Sequence, residues 1–89
     1  MTFSSRVSSE FWEKYESLPT EVRRQADKAY ELFRANPSHP SLSLKQVGPF
    51  WSARVSLNYR VLGYRQRSEF YWFWIGRHDE YEELIDRNM

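Results

Sequence analysis

The chain has 89 residues, enough for one small domain with a modest core. Hydrophobic residues make up 40% and aromatic residues 18%, a composition that excludes a disordered tail. The absence of cysteine excludes disulfides and thiolate metal sites, and residues 1–9 lack the apolar stretch of a signal peptide. We therefore expect a single cytoplasmic domain over residues 1–89, with no membrane span.

The net charge is only +1, but the charges are unevenly distributed. Residues 51–78 carry five arginines and one acid, whereas residues 79–86 carry five acids and no base. Two interpretations stay open at this point. The asymmetry is either ordinary solvated surface charge or a basic sheet followed by an acidic segment that has a function.

The first part of the chain predicts a short strand and a first helix. Residues 2–7 predict the strand. Ser8 or Ser9 can cap the helix, and Glu10 is well placed for its dipole. Apolar residues follow at spacings of four and three, which places them on one helical face. They are Phe11, Tyr15 and Leu18.

A second helix is predicted to open at Pro19 or Thr20. It ends at Asn36, because a residue that precedes proline disfavours the helical region. Its apolar stripe is Val22, Ala26, Ala29, Tyr30 and Phe33. The two helices are expected to form an antiparallel hairpin.

The second half of the chain predicts strands at residues 42–47, 51–57, 59–64 and 70–75. Residues 51–57 alternate between apolar and polar side chains, which is typical of a strand with one buried and one solvated face. Residues 70–75 are apolar on both faces and predict a central strand. Residues 78–85 predict a short last helix. Helices at one end and strands at the other indicate an α+β fold with a mainly antiparallel sheet.

Two arginines lie on neighbouring predicted strands, and the loop between the strands decides where they point. An even-length loop would place Arg60 on the buried side, which is costly for an unpaired charge. A three-residue loop over 56–58 would pair Arg54 with Arg60 on the outer face, and Asn58 suits the left-handed position of such a loop. Two guanidinium groups side by side fit a phosphate. Alternatively, each arginine pairs with an acid from residues 79–86.

A histidine and a tyrosine begin the last helix. His78 and Tyr81 are three residues apart and share a helical face. A histidine beside arginines can move a proton near neutral pH, although a lone histidine is also common as a capping or surface residue. His39 lies in a proline-flanked loop and is interpreted as structural. The sequence shows no histidine pair at metal spacing and no phosphate-binding glycine loop.

Four segments together resemble the RelE/ParE superfamily of toxins from bacterial type II toxin–antitoxin systems. They are LPTEVR (18–23), NPSHPSLSLK (36–45), WSARV with YR (51–55 and 59–60) and WIGRHDEY (74–81). The resemblance covers roughly residues 8–85. It implies a helical hairpin packed on one face of a twisted sheet of four or five strands, with a concave basic face opposite and a short C-terminal helix.

The resemblance also implies an activity. RelE-like, HigB-like and YoeB-like members cut messenger RNA on the ribosome without a metal or other cofactor, and a cognate antitoxin protein binds them. By this likeness, Arg60 would hold the scissile phosphate and Arg54 would stabilise developing charge. His78 would be the acid or base, and Tyr81 would stack on a base or position the phosphate. Lys45, Arg65 and Arg77 would add substrate-binding cations.

The resemblance leaves three functions open. The first is the messenger RNA endonuclease just described. The second is a ParE-like gyrase inhibitor, which acts by binding and does not require His78 with Tyr81. The third is a relative that binds an antitoxin and cuts weakly or not at all. The YoeB-like branch carries a glutamate before the second strand, whereas residues 38–41 here contain no acid, so His78 is the candidate general base.

Overall fold

The computed structural model describes residues 4–88 and confirms the predicted α+β fold. None of the helices within this range is long and apolar enough to cross a membrane. The elements in chain order are β1 (Ser4–Val7), α1 (Ser9–Glu16), α2 (Thr20–Ala35), a 3-10 turn (Pro40–Leu42), β2 (Lys45–Val47), β3 (Phe50–Ser56), β4 (Tyr59–Gln66), β5 (Glu69–Arg77) and α3 (His78–Arg87).

The first two helices, α1 and α2, begin and end where the sequence predicted. The Ser8 hydroxyl caps α1 by accepting a hydrogen bond from the Phe11 backbone N–H at 3.2 Å. Pro19 precedes the first turn of α2, which ends at Ala35 just before the Asn36-Pro37 pair. Local sequence chemistry therefore sets both helices.

The strands form one sheet in the order β1-β5-β4-β3-β2. β1 pairs with β5 in parallel, and the other neighbouring pairs are antiparallel. The first strand was predicted over residues 2–7; Ser4–Val7 form it, and residues 2 and 3 lie outside the described range. β5 has a strand on each side, as its continuous apolar run predicted.

The strand predicted at residues 42–47 is too long. Pro40 starts a 3-10 turn, whose first free N–H, from Ser41, donates to His39 Nδ1 at 3.1 Å. Ser43 then adopts a left-handed backbone with φ 45°, so pairing begins only at Lys45. His39 is structural, as interpreted from the sequence.

The sheet is covered on both faces. We call the side that packs against α1 and α2 the helix-side face, and the opposite side the α3 face. The helix-side core consists of Phe11, Ala26, Phe33, Leu42, Ala53, Phe70, Trp72 and Ile75. A smaller core under α3 consists of Phe50, Leu62, Trp74, Tyr81 and Ile85.

The prediction that every polar residue of β3 faces solvent is wrong for the middle of this strand. Ser52 is only 2% exposed, because α3 folds back across the sheet and places Tyr81 over it. The alternation of polar and apolar residues correctly assigned the β3 side chains to the two faces of the sheet. It could not show that α3 covers part of the polar face.

A bulge in β5 places Trp72 and Trp74, which are two residues apart, in different cores. Leu62 pairs with Trp74 but Gly63 pairs with Trp72, so Phe73 is an extra residue in the ladder. A Cβ on Gly63 would lie 2.6 Å from the Tyr71 carbonyl oxygen, so only glycine fits there. The bulge turns Phe73 towards the α3 face, where it stacks on Tyr64.

Candidate functional site

The β3–β4 hairpin places Arg54 directly opposite Arg60, as predicted. The predicted three-residue loop is wrong, since Ser56 pairs with Tyr59 across a shorter turn. The register shifts between Arg54 and Ser56, and this bulge offsets the change of side that an even-length turn would cause. The predicted arginine pairing is therefore present, but a shorter turn and a bulge produce it in place of a three-residue loop.

Both arginines belong to the α3 face. Val61 pairs with Ala53 in the helix-side core, so the next pair along, Arg54 with Arg60, points to the other side. Across β4, Arg60 pairs with Gly76, which has no side chain above the sheet. The guanidinium of Arg60 therefore lies near the start of α3.

The side chain of Arg60 is held by the hairpin turn. Its Nη1 donates to the carbonyl oxygens of Ser56 at 2.6 Å and Tyr59 at 3.0 Å, with a longer bond to Leu57 at 3.4 Å. Within residues 4–88, its Nε and Nη2 have no hydrogen-bond partner. One end of the guanidinium is thus fixed by backbone, and the other end can bind a ligand.

The positive charge of this pair is not neutralised by a neighbouring acid. Burial lowers the pKa of Arg60 from its usual value, the like charge of Arg54 lowers it further, and Tyr81 opposes the shift. Like charges directly opposite each other destabilise a sheet. An anion bound between the two guanidinium groups would relieve this repulsion.

The alternative that acids from residues 79–86 neutralise these arginines is wrong for the part of the chain that the structure describes. Asp79 pairs instead with Arg77 at 3.2 Å, and Glu82 lies 3.5 Å from His78 Nδ1. No ion pair within residues 4–88 involves Arg54 or Arg60. The hairpin arginines are therefore available to an external anion.

His78 stands next to the arginine hairpin. Its backbone N–H donates to the Asn58 carbonyl oxygen at 2.8 Å, which ties the first residue of α3 to the hairpin turn. Its ring lies 5.6 Å from the ring of Tyr81, measured between centroids. The imidazole is partly exposed, so a substrate on the α3 face can reach it.

Tyr81 is the buried member of the set. Its side chain is 6% exposed, and its hydroxyl donates to Ser52 Oγ at 3.1 Å. The phenol is therefore occupied by an internal hydrogen bond. Its ring lies beneath the imidazole and fixes the position of His78, while the pair with Ser52 holds α3 against the sheet.

The three predicted substrate-binding cations lie in different places. Lys45 pairs with Ser52 at the sheet edge and is exposed on the α3 face, beside the arginine row. Arg65 lies over Trp51 and Phe70, with its guanidinium carbon 4.9 and 5.2 Å from their ring centroids, so it belongs to the helix-side face. Arg77 is exposed and paired with Asp79.

The structure thus brings together Arg54, Arg60, His78 and Tyr81, places Lys45 on the same face, and separates Arg65 from them. Among residues 4–88, no three histidine, aspartate or glutamate side chains gather in a way that could hold a metal ion. The chemistry of the assembled groups is that of an anion site with an adjacent proton carrier.

The fold is shared with solved structures. No family model matches the sequence, and neither does any curated protein. The RelB–RelE antitoxin–toxin complex of Methanococcus jannaschii aligns with TM-score 0.69 and 12% identity, over 88% of this chain and 95% of that one. The archaeal RelE–RelB complex of Pyrococcus horikoshii gives 0.65 and 15%, over 86% and 96%. A double arginine-to-alanine mutant of the Escherichia coli toxin RelE, in the free state, gives 0.65 and 16%, over 100% of both chains.

This chain has the RelE toxin fold. The structure therefore confirms the architecture that the sequence resemblance implied: helices on one face of a five-stranded, mainly antiparallel sheet, and a short C-terminal helix.

Within this RelE fold, two contributors to the candidate site were not predicted from the sequence. Ser52 accepts the Tyr81 hydrogen bond, and the Asn58 carbonyl oxygen anchors His78. The spacing of Ser52 and Arg54 placed both on one face, but no local signal showed that α3 would cross that face. The Asn58 contact is made by backbone, which side-chain patterns do not report.

Proposed function

We propose that this chain is the toxin of a type II toxin–antitoxin pair and that it cuts messenger RNA on the ribosome. The observation that carries the proposal is the Arg54–Arg60 pair, which lacks an acidic partner within residues 4–88 and stands beside His78 on one sheet face. The RelE fold supports it, because the structural neighbours include the Escherichia coli toxin RelE and the toxins of two antitoxin–toxin complexes.

The proposed reaction uses the RNA's own nucleophile. The ribose 2′-oxygen forms a bond to the adjacent phosphorus, and the bond from phosphorus to the 5′-oxygen breaks, giving a 2′,3′-cyclic phosphate and a free 5′-hydroxyl. The transition state carries extra negative charge on the phosphoryl oxygens, which two fixed guanidinium groups would stabilise. His78 is the proposed proton carrier, because an imidazole ring nitrogen can accept or donate a proton.

The two arginines have separate proposed tasks. Arg60 binds the scissile phosphate through Nε and Nη2, while the turn carbonyls hold Nη1 and keep the guanidinium plane fixed. Arg54, opposite it, contacts the same phosphate from the β3 side. A lysine at position 60 could not hold the turn and bind the phosphate together, because an ammonium group has no fork geometry.

The partner we propose is an antitoxin protein. Two of the structural neighbours are complexes of a toxin with its antitoxin. The paired arginines offer an acidic segment of such a protein the same charge complementarity that they offer to RNA. Occupation of the arginine pair by that segment would block access to the phosphate.

The test is a cell-free translation reaction in which the ends of the message are mapped. The wild-type protein should stop translation and leave cuts within codons, with 5′-hydroxyl and cyclic phosphate ends. Arg60→Ala and His78→Ala should each slow cutting by about 10²–10³-fold. Arg65→Ala, a matched arginine on the helix-side face, should cut normally.

Intact messages during full arrest would refute the nuclease proposal. Gyrase-dependent cleavage of supercoiled plasmid by the same preparation would then favour the ParE-like alternative. Equal loss of cutting in Arg65→Ala and Arg60→Ala would show that general basicity, not the paired site, carries the activity.

A further inference from the structure

The α3 face carries a second feature that lies in line with the arginine pair. Side chains on this face form successive rows across the strands, about 7 Å apart along each strand. Arg54 and Arg60 form one row, Lys45 and Ser52 belong to the next, and Tyr64 lies in the row beyond. Tyr64 is four positions along β4 from Arg60, which amounts to about 13 Å.

Tyr64 presents a supported aromatic ring to solvent. Its side chain is 50% exposed, although it lies in the middle part of a strand. The ring stacks on Phe73, with centroids 4.9 Å apart and planes 24° apart, and Phe50 packs against it at 5.5 Å. Its hydroxyl has no hydrogen-bond partner within residues 4–88. The ring is therefore held from one side and open on the other.

We propose that Tyr64 is a stacking platform for a base of the RNA strand, about two nucleotides away from the phosphate held by Arg54 and Arg60. This inference rests on the proposed nuclease function and adds a substrate subsite to it. Proteins that bind single-stranded RNA combine cations along the backbone with aromatic rings on which bases stack. A ring already fixed by its neighbours binds a base with little loss of side-chain freedom.

The charges around Tyr64 indicate where the RNA strand would run on the α3 face. α3 packs on β4 and β5, and its Tyr81 also covers Ser52 of β3, so a strand of RNA that passes from the arginine pair to Tyr64 would follow the β2 edge of this face. The exposed Lys45 lies on that edge, between the arginine row and the aromatic row, and can contact the intervening phosphate. On the β5 side, Glu69 accepts a hydrogen bond from the Tyr71 hydroxyl at 2.8 Å, and its charge would repel a phosphate.

This arrangement favours RNA over a protein as the occupant. The exposed aromatic surface consists of Tyr64 and its pair partner Tyr71, and the exposed cation Lys45 lies on the β2 edge. A protein helix would need a broader apolar area next to the platform. Weaker binding of the antitoxin by a variant of Tyr64 would therefore count against the inference.

The experiment measures single-turnover cutting of a defined message on programmed ribosomes. Tyr64→Leu keeps an apolar cover over Phe73 but removes the ring, and Tyr64→Phe keeps the ring. Tyr30→Ala is the matched control, since Tyr30 is also an exposed tyrosine stacked on a phenylalanine, but on α2. Messages with one abasic nucleotide at each position near the cut locate the subsite.

We expect one abasic position, about two nucleotides from the cut, to slow the wild-type protein roughly tenfold. Tyr64→Leu should slow cutting of the intact message by a similar factor and should lose nothing further on that abasic message. Tyr64→Phe and Tyr30→Ala should cut like the wild type. If the ring stacks directly on that base, the rate losses from Tyr64→Leu and from the abasic nucleotide should not add.

Three results would overturn the inference. In the first, Tyr64→Leu cuts the intact message as fast as the wild type and binds the antitoxin equally well. In the second, its loss multiplies with that of every abasic position. In the third, Tyr64→Leu cuts normally but binds the antitoxin more weakly. A wild-type protein that leaves the intact message uncut overturns the proposed function itself, and this is distinguishable because it precedes any comparison of variants.

Discussion

The hydrogen bond between Tyr81 and Ser52 joins α3 to the middle of the sheet at a place where both groups are almost fully buried. A buried hydroxyl without a partner costs more than the net value of the bond it has lost. Each single substitution therefore leaves one buried hydroxyl unpaired. Ser52→Ala removes the acceptor of the Tyr81 hydroxyl, and Tyr81→Phe removes the donor to the Ser52 hydroxyl.

We predict that Ser52→Ala and Tyr81→Phe each lower the free energy of unfolding by about 1–3 kcal/mol, because each leaves a buried hydroxyl without its partner. The double variant should be no less stable than Ser52→Ala alone. Urea denaturation of the four proteins measures this cycle. Strict additivity would show that the two hydroxyls do not interact. Ser56→Ala, in the same strand, is a control for loss of a serine hydroxyl.

The same pair bears on the role of Tyr81 in the proposed site. Because its hydroxyl faces Ser52, its contribution to His78 comes from the ring, at 5.6 Å between centroids. Tyr81→Phe should therefore retain most cutting activity on programmed ribosomes. A loss as large as that expected for His78→Ala would instead assign the phenol a direct part in the reaction.

At the scale of single elements, the helices and most strands could be predicted because their signals are local. The Ser8 cap, the Asn36-Pro37 stop and the alternation in β3 each depend on a few adjacent residues. The start of β2 could not be predicted, since the left-handed Ser43 gives no sequence signal comparable to glycine. Element ends depend on backbone conformations that several residue types can adopt.

In the β3–β4 hairpin, the predicted pairing of the arginines was correct although the predicted loop length was wrong. The cost of burying Arg60 constrained the register, and the structure has the Arg54–Arg60 pair. The sequence does not distinguish a three-residue loop from a two-residue turn with a bulge, because both place the arginines on the same face. The sheet face on which the two arginines lie could be predicted from the sequence. The conformation of the hairpin turn that joins their strands could not.

The connection between α1 and α2 includes a bond that responds to pH. The Tyr15 hydroxyl donates to Asp27 Oδ1 at 2.7 Å. This hydrogen bond, then partial burial and the charge of Asp27, raise the pKa of Tyr15 above its ordinary value of 10.0, against a smaller opposing effect of Arg23. The folded state thus retains the phenolic proton at pH values where the unfolded chain has begun to lose it.

The resulting stability is complete below the ordinary tyrosine pKa and is lost as the pH rises through the raised value. We predict that Tyr15→Phe lowers the free energy of unfolding by at most about 1 kcal/mol at neutral pH, because the bond is exposed. The difference from the wild type should shrink at alkaline pH. Urea midpoints across the alkaline range measure it, and a constant difference would contradict the assignment. Tyr30→Phe is the control, since its hydroxyl makes no hydrogen bond within residues 4–88.

At the scale of the whole molecule, one sheet carries two cores of different size. β5 supplies Phe70, Trp72 and Ile75 to the helix-side core and Trp74 to the core under α3. The bulge at Phe73 places Trp72 and Trp74 on opposite faces, and Gly63 gives the bulge its space. The candidate site lies at the border of the smaller core, so its geometry depends on how firmly α3 is held.

The order of the elements and the fold class were predictable because they follow from periodicity along the chain. The docking of α3 was not, because Tyr81 and Ile85 could equally have completed the helix-side core. Only the three-dimensional path of β5 decides which face the following helix covers. This is why the sequence indicated which candidate residues share a face but not the buried support beneath them.

Because both cores contain side chains of β5, we predict that they unfold together. Phe33→Ala removes a ring 5.1 Å from Phe70 in the large core and should cost about 3–5 kcal/mol. Ile85→Ala, in the small core, should cost about 2–4 kcal/mol. In both variants, far-ultraviolet circular dichroism and tryptophan fluorescence should give one coincident urea transition, because a domain of this size usually unfolds in a single step. If Ile85→Ala instead loses part of its helical signal at lower urea than its fluorescence change, α3 is a separate unit that can leave the sheet while the large core stays folded.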